Sequence, residues 1–114
     1  MPPADVSGTV LVQLLASFAG LAGTAVVVPI AEELAFRGYL ARRLIHANFQ
    51  RVPVGSFTMV SFLGSSFLFG MAHEEWLLGI FAGMAYAAVL YRRRNLADAI
   101  VAHGVTNALL FLIA

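Results

Sequence analysis

The sequence predicts an all-helical membrane protein, a polytopic bundle of about five hydrophobic helical segments. Of its 114 residues, 61% are hydrophobic and only 11% are charged, whereas a soluble domain usually carries about 25% charged and about 45–50% apolar residues. The apolar residues also lie in long stretches without the alternation that is typical of barrel strands. A chain this short can cover so much apolar surface only in lipid or in a large complex.

Five apolar stretches define the segments, at about residues 8–28, 30–46, 56–72, 76–91 and 96–113. The first is uncharged and has about the 20 residues that a helix needs to cross a hydrocarbon core of about 30 Å. Pro29 follows it, and we expect a helix to break there or a new one to begin. Small residues four apart favour close packing of helices in a bundle: Ala16 with Gly20, Ser66 with Gly70, and Gly79 with Gly83.

All seven basic residues are arginines, and six of them follow the second and fourth stretches: Arg42, Arg43, Arg51, Arg92, Arg93 and Arg94. Two crossings separate the clusters, so both should lie on one side of the membrane. The positive-inside rule makes that side cytoplasmic and places the C-terminus on the other. The net charge of +1 argues against nucleic acid as a partner, because a binder needs a basic stripe. Cysteine is absent, which leaves the redox compartment open.

The charged residues inside the apolar stretches require a structural or functional explanation, because inserting each into a membrane costs at least about 2.5–3.5 kcal/mol. Glu33 and Arg37 stand four apart, with the acid first, and this spacing favours a salt bridge. Glu32 is rotated by about 100° from Glu33 on a helix. One carboxylate would then be held ionised by Arg37, and the other would be left for chemistry. The alternative is that both acids only complement the helix dipole after Pro29.

Two histidines and an amide complete the set. His103 and Asn107 stand four apart in an apolar helix and could meet a common ligand, although a lone pair of this kind usually makes interhelical hydrogen bonds. His73 ends the third stretch. With straight, perpendicular helices at 1.5 Å per residue, Glu32, His73 and His103 would lie at different depths. Their convergence therefore requires tilt, a kink or other helix boundaries.

These clusters follow one another in a defined order. Residues 32–37 read EExxxR, residues 69–73 read FxxxH, and residues 103–107 read HxxxN. This order resembles the CAAX protease and bacteriocin-processing (CPBP, or Abi) family of intramembrane proteases, and is similar to its type II CAAX prenyl endopeptidases. The resemblance covers roughly residue 28 to the C-terminus. It implies that residues 1–114 form a single protease core, either as a minimal member or as part of a longer protein.

The resemblance also implies a catalytic role for each matched residue. Glu32 would activate water, assisted by His73, because a desolvated carboxylate is a better general base. Glu33 and Arg37 would order the site. His103 and Asn107 would stabilise the developing oxyanion. Expected partners are membrane lipid and a peptide or protein substrate, and the expected location is the plasma membrane of a prokaryote.

Three alternatives remain open at this point. Glu32, His73 and His103 could bind zinc and leave a position for water, although the expectation from the resemblance is a mechanism without a cofactor. The motifs could instead be a folding network in a non-catalytic membrane protein that binds a partner peptide or confers immunity. A small transporter is a third possibility, since buried acids and histidines also gather in proton relays.

Overall fold

The computed structural model describes residues 6–113, and all the regular secondary structure in that range is helical. Two helices, Ser7–Arg43 and Leu96–Ile113, are long and apolar enough to cross a membrane, and Met59–Met71 is a shorter apolar helix. The all-helical class is therefore confirmed for the described residues, while the number of crossings stays a prediction. Residues 1–5 and 114 of the predicted core lie outside the described residues.

The first two apolar stretches form one uninterrupted helix, which we call the long N-terminal helix. It consists of α1 (Val6–Ala22), a π-helical segment (Gly23–Val27), α2 (Val28–Glu33), a second π-helical segment (Leu34–Leu40) and α3 (Ala41–Arg43). The predicted break at Pro29 is therefore wrong, although a new helical segment does begin beside it. The first π segment accommodates the proline. Its register is set by the Val28 N–H, which bonds to the Gly23 carbonyl five residues earlier.

Three further helices follow a connection at residues 44–58, which contains a 3₁₀ turn at Phe49–Arg51. These are α4 (Met59–Met71), α5 (Trp76–Arg93) and α6 (Leu96–Ile113). The Thr58 side chain caps α4 by accepting from the Ser61 N–H at 3.0 Å, which supplies one of the first-turn donors with a partner. At the start of α6, Asn95 Oδ1 accepts from the Ala97 N–H at 3.0 Å.

Glycines bring α4 and α5 into close contact. A Cβ at Gly70 would lie 2.6 Å from both the Ile80 nitrogen and the Trp76 oxygen, so no larger residue fits there without separating the helices. A Cβ at Gly79 would lie 3.0 Å from the Gly70 Cα atom. The predicted pairs Ser66 with Gly70 and Gly79 with Gly83 are thus buried where α4 meets α5, as expected where glycine allows backbones to approach, whereas Ala16 of the third pair is exposed.

Helix α6 runs antiparallel to residues 20–38 of the long N-terminal helix. The Leu96 side chain lies beside Gly38, and the Phe111 ring lies beside Gly20 at the other end of the contact. α6 begins beside Gly38 and not beside His46. His103, seven residues after Leu96, therefore lies at the level of Glu33. This offset between helix ends removes the depth difficulty that straight helices with level ends would pose.

The two arginine-bearing connections lie at one end of the molecule. A Cβ at Gly55, in the connection before α4, would lie 2.8 Å from the Arg94 Cα atom in the turn between α5 and α6. Gly55 has a φ of +82° and Arg94 a φ of 51°, so both turns use the left-handed region that glycine adopts readily. The predicted placement of both arginine clusters on the same side is consistent with this contact.

Candidate active site

Glu33 lies at the centre of the polar cluster and is fully buried. Its Oε2 atom accepts from Arg37 Nη1 at 3.1 Å and lies 3.0 Å from His103 Nδ1. The Glu33 and Arg37 side chains are 0% exposed and that of His103 is 3% exposed. The predicted salt bridge between Glu33 and Arg37 is therefore present. It is joined by a contact that sequence spacing could not show, since residues 33 and 103 are 70 positions apart.

Arg37 connects this cluster to α5. Its Nη2 group donates to the Gly83 carbonyl, and its guanidinium carbon lies 4.6 Å from the centre of the Phe69 ring. A buried guanidinium is tolerated only when its donors are paired. Arg37 meets this requirement in part, through one carboxylate, one carbonyl and one aromatic face, while its Nε atom has no partner among the described residues. The arginine thereby holds α2, α4 and α5 together around the site.

Glu32 is partly accessible and meets His103 at the opposite ring nitrogen from Glu33. Its Oε2 atom lies 3.4 Å from His73 Nε2 and 3.4 Å from His103 Nε2. The Glu32 and His73 side chains are 29% and 32% exposed. The three residues expected to carry the chemistry therefore converge, with one carboxylate oxygen between two imidazole rings.

The other ring nitrogens fix the protonation pattern of these histidines. His73 Nδ1 lies 2.6 Å from the Phe69 carbonyl, which can only accept, so Nδ1 must carry the hydrogen. His103 Nδ1 faces the Glu33 carboxylate and likewise donates. In the neutral rings both Nε2 atoms are then acceptors. Three acceptors meet at Glu32 Oε2, which has no hydrogen-bond partner among the described residues. A proton or a donor such as water is needed between them.

Aromatic rings surround the histidines. Phe69 is 1% exposed, and its ring centre lies 4.5 Å from that of His73 and 5.5 Å from that of His103. Tyr86 stacks on His103 with ring centres 4.6 Å apart and planes inclined by 16°. These contacts restrict the orientation of both imidazoles, while the His73 side chain stays 32% exposed.

A cleft of about 350 Å³ opens beside the cluster between α5 and α6. His73, His103, Tyr86, Thr106 and Asn107 lie along it, together with apolar residues that include Leu78 and Leu110. Asn107 also donates from Nδ2 to the Thr24 carbonyl at 2.8 Å. One of its two amide hydrogens is therefore used in a contact between α6 and the long N-terminal helix.

A comparison with protein-family models identifies the family. The model described as type II CAAX prenyl endopeptidase Rce1-like matches residues 13–109, which is most of the chain. The chain belongs to this Rce1-like family. Searches of curated proteins and of solved structures gave no match. The resemblance read from the three motifs is thus confirmed.

Membership of the Rce1-like family makes the chain a member of a protease family. Together with its apolar helices, it also indicates an integral membrane protein. The matched range includes all six residues predicted for the site, Glu32, Glu33, Arg37, His73, His103 and Asn107. Their individual roles stay predictions that the geometry now makes specific.

Sequence reasoning missed three contributors to the site: Phe69, Tyr86 and the Gly83 carbonyl. Phe69 was visible as the first residue of FxxxH, and its spacing of four from His73 places both on one helix face. Tyr86 gave no signal beyond being a tyrosine in an apolar stretch. A backbone carbonyl such as that of Gly83 leaves no mark in a sequence.

Metal binding was the alternative use of Glu32, His73 and His103. Among residues 6–113, no group of three or more histidine, cysteine or acidic side chains is placed to hold a metal ion. Whether Glu32, His73 and His103 work with or without zinc therefore stays a prediction, and the proposed function below is tested with a chelator.

Proposed function

We propose that this protein is an intramembrane endopeptidase that hydrolyses peptide bonds with a water molecule activated by Glu32. The observation that carries the proposal is the Glu32 Oε2 atom, which has no hydrogen-bond partner among the described residues and lies 3.4 Å from each of two Nε2 atoms whose rings are already held through Nδ1. The Glu32 side chain is 29% exposed, so a water can reach its carboxylate and meet a strong acceptor there, which favours general-base catalysis.

In the proposed reaction, the water oxygen bonds to the scissile carbonyl carbon while Glu32 takes one of its protons. His103, protonated on Nε2, donates to the developing oxyanion. With hydrogens on both Nδ1 and Nε2, His103 is an imidazolium throughout the step, and the Glu33 carboxylate stabilises it by accepting from Nδ1–H, as a buried carboxylate does for a catalytic histidine. When the carbon–nitrogen bond breaks, the leaving nitrogen takes the proton held by Glu32, directly or through His73. The products are a carboxylic acid and an amine.

We infer that the substrate is a membrane-associated or lipidated peptide. The family description names prenyl endopeptidases, and the cleft beside the site has apolar walls that include Leu78 and Leu110. These leucines are 64% and 51% exposed, so in a bilayer they would face lipid. A peptide held in the membrane could then reach Glu32 between α5 and α6. We place the protein in a prokaryotic plasma membrane as part of the same proposal.

The proposal is tested by incubating the purified protein in lipid vesicles with a membrane-presented peptide and identifying the products by mass spectrometry. We expect Glu32→Gln to lower kcat at least about 100-fold, in line with loss of a general base. Glu74→Gln is the matched control, because Glu74 is an exposed acid in the turn next to His73. Full activity of Glu32→Gln would refute Glu32 as the base.

A chelator provides a second arm of the same experiment. The proposed mechanism predicts that activity survives dialysis against a chelator and does not rise when zinc is added. Activity that disappears on chelation and returns with zinc would replace the proposed mechanism by the metal-dependent one. Binding of the peptide without cleavage by any preparation would favour the non-catalytic alternative.

A further inference from the structure

We propose that Asn107 is a positioning residue. Its side-chain amide donates to the Thr24 carbonyl, which Pro29 leaves without a backbone partner, and this contact positions His103 in the site. The resemblance assigned Asn107 to the oxyanion. The structure gives its Nδ2 atom another partner, the Thr24 carbonyl, at 2.8 Å. Only the expected effect of this contact on turnover rests on the proposed function.

The Thr24 carbonyl is open because of the backbone register before Pro29. In the π segment, the Val28 N–H bonds to the Gly23 carbonyl, five residues earlier. The next bond in this register would run from residue 29 to Thr24, but proline has no N–H. Thr24 is exposed on the surface of the protein, and in lipid a backbone carbonyl without a partner is costly because no water is present to donate to it. Asn107 supplies the missing donor from the neighbouring helix.

The position of α6 makes this contact possible. Gly104 lies one turn before Asn107, and a Cβ there would lie 2.5 Å from the Ala25 carbonyl. Glycine at 104 therefore lets α6 approach the carbonyl side of the π segment. A single helix, α6, thus carries Gly104 and Asn107 against residues 24 and 25, and His103 against Glu33 at 3.0 Å.

The geometric consequence is a fixed depth and rotation for α6. The bond between Asn107 and Thr24 and the bond between His103 and Glu33 lie one helical turn apart on α6. If the first is lost, α6 is free to slide or rotate, and His103 no longer meets both Glu33 and Glu32. Asn107 then acts on catalysis through His103 and need not touch the substrate.

A double-mutant cycle between Pro29→Ala and Asn107→Leu tests this, using the full chain purified in detergent. Alanine at 29 restores an N–H. In the π register it bonds to Thr24. In the α register it bonds to Ala25, and the Val28 N–H moves to Thr24. In a helix that keeps one register through residues 28 and 29, the Thr24 carbonyl therefore gains a backbone partner. We expect Asn107→Leu to lower the ratio of folded to unfolded protein about tenfold with Pro29 and less than about twofold with Pro29→Ala.

Turnover of the membrane-presented peptide gives the second readout. Asn107→Leu should lower kcat with KM little changed when Pro29 is present, and should have a much smaller effect on kcat in the Pro29→Ala background. An effect on kcat that is equal in both backgrounds, with no coupling in unfolding, would show an oxyanion role and overturn the proposal.

Two further outcomes are also decisive. If Asn107→Leu alone does not fold but the double variant does, the yield of folded protein shows the coupling between positions 29 and 107, and the proposal holds. If both fail to fold, the proposal is overturned. If wild type shows no peptidase activity but the coupling in unfolding persists, the positioning contact stands and the proposed protease function fails.

Discussion

At the scale of single residues, the few buried charged side chains of the site share their hydrogen-bond partners. Glu33 neutralises Arg37 and orients His103 with one oxygen atom, while Arg37 reaches both Glu33 and the Gly83 carbonyl. Removing either member of a buried pair leaves an uncompensated charge, which typically costs about 3–5 kcal/mol. Such an arrangement supports the proposed role of Glu32, whose Oε2 has no hydrogen-bond partner among the described residues, as the reactive carboxylate.

The fork of the Arg37 guanidinium predicts that lysine cannot replace it. Arg37→Lys keeps the charge, but one ammonium cannot reach Glu33, the Gly83 carbonyl and the Phe69 face in the geometry of a planar fork. We expect a loss of about 1–3 kcal/mol in the free energy of unfolding, the usual cost of an unsatisfied buried partner. Thermal unfolding of the purified protein measures it. Arg43→Lys, at an exposed arginine of the same helix, should change stability little, and equal effects at the two positions would contradict the argument.

At the scale of helices, the sequence predicted which residues belong together better than how the backbone brings them together. The spacing of Glu33 and Arg37 predicted their salt bridge, and the apolar stretches predicted α4, α5 and α6 to within a few residues. The two π segments were not predictable, because the spacing rule that places residues on one helix face assumes the 3.6 residues per turn of an α-helix. They flank Glu32 and Glu33, as π-helical turns often do at functional sites. The offset start of α6 beside Gly38 is a tertiary feature that no local pattern encodes.

The hairpin of α4 and α5 depends on glycine at one crossing point. Gly70→Ala would place a methyl group 2.6 Å from the Ile80 nitrogen and the Trp76 oxygen, and backbone atoms cannot move aside as a flexible side chain would. We expect a loss of about 1–3 kcal/mol, typical of overpacking, together with a fall in peptidase activity because Phe69 and His73 shift with α4.

Gly23→Ala is the matched control for that substitution. Nothing lies within 4 Å of a Cβ at Gly23, and alanine is favoured over glycine within helices by up to about 1 kcal/mol. Unfolding of the two variants in the same detergent compares them directly. A Gly70→Ala protein as stable as Gly23→Ala would show that the α4–α5 contact is looser than described.

At the scale of the whole molecule, the fold is elongated, with extents of 67 × 25 × 23 Å. Much of its apolar surface faces outward, including Leu11 and Phe18 of α1, which are 57% and 73% exposed. In water such a surface would drive association, whereas in a bilayer it contacts lipid tails. The buried interior contains the polar residues Glu33, Arg37 and His103 beside apolar ones such as Phe69 and Leu90. The large outward-facing apolar surface explains why the composition predicts a membrane protein.

The direction of the helices predicts the sides on which their ends lie. The connection at residues 44–58 and the turn after α5 meet at Gly55 and Arg94, whereas α6 runs away from that end to Ile113. The chain has no cysteine, so single cysteines can be introduced without a background. In intact cells we expect Arg51→Cys and Asn95→Cys to resist a membrane-impermeant maleimide until the membrane is opened, since arginine-rich connections stay cytoplasmic. Ile113→Cys should react from outside. Labelling of positions 51 and 95 from opposite sides would contradict the contact between the two connections and with it the arrangement of helices around Glu32.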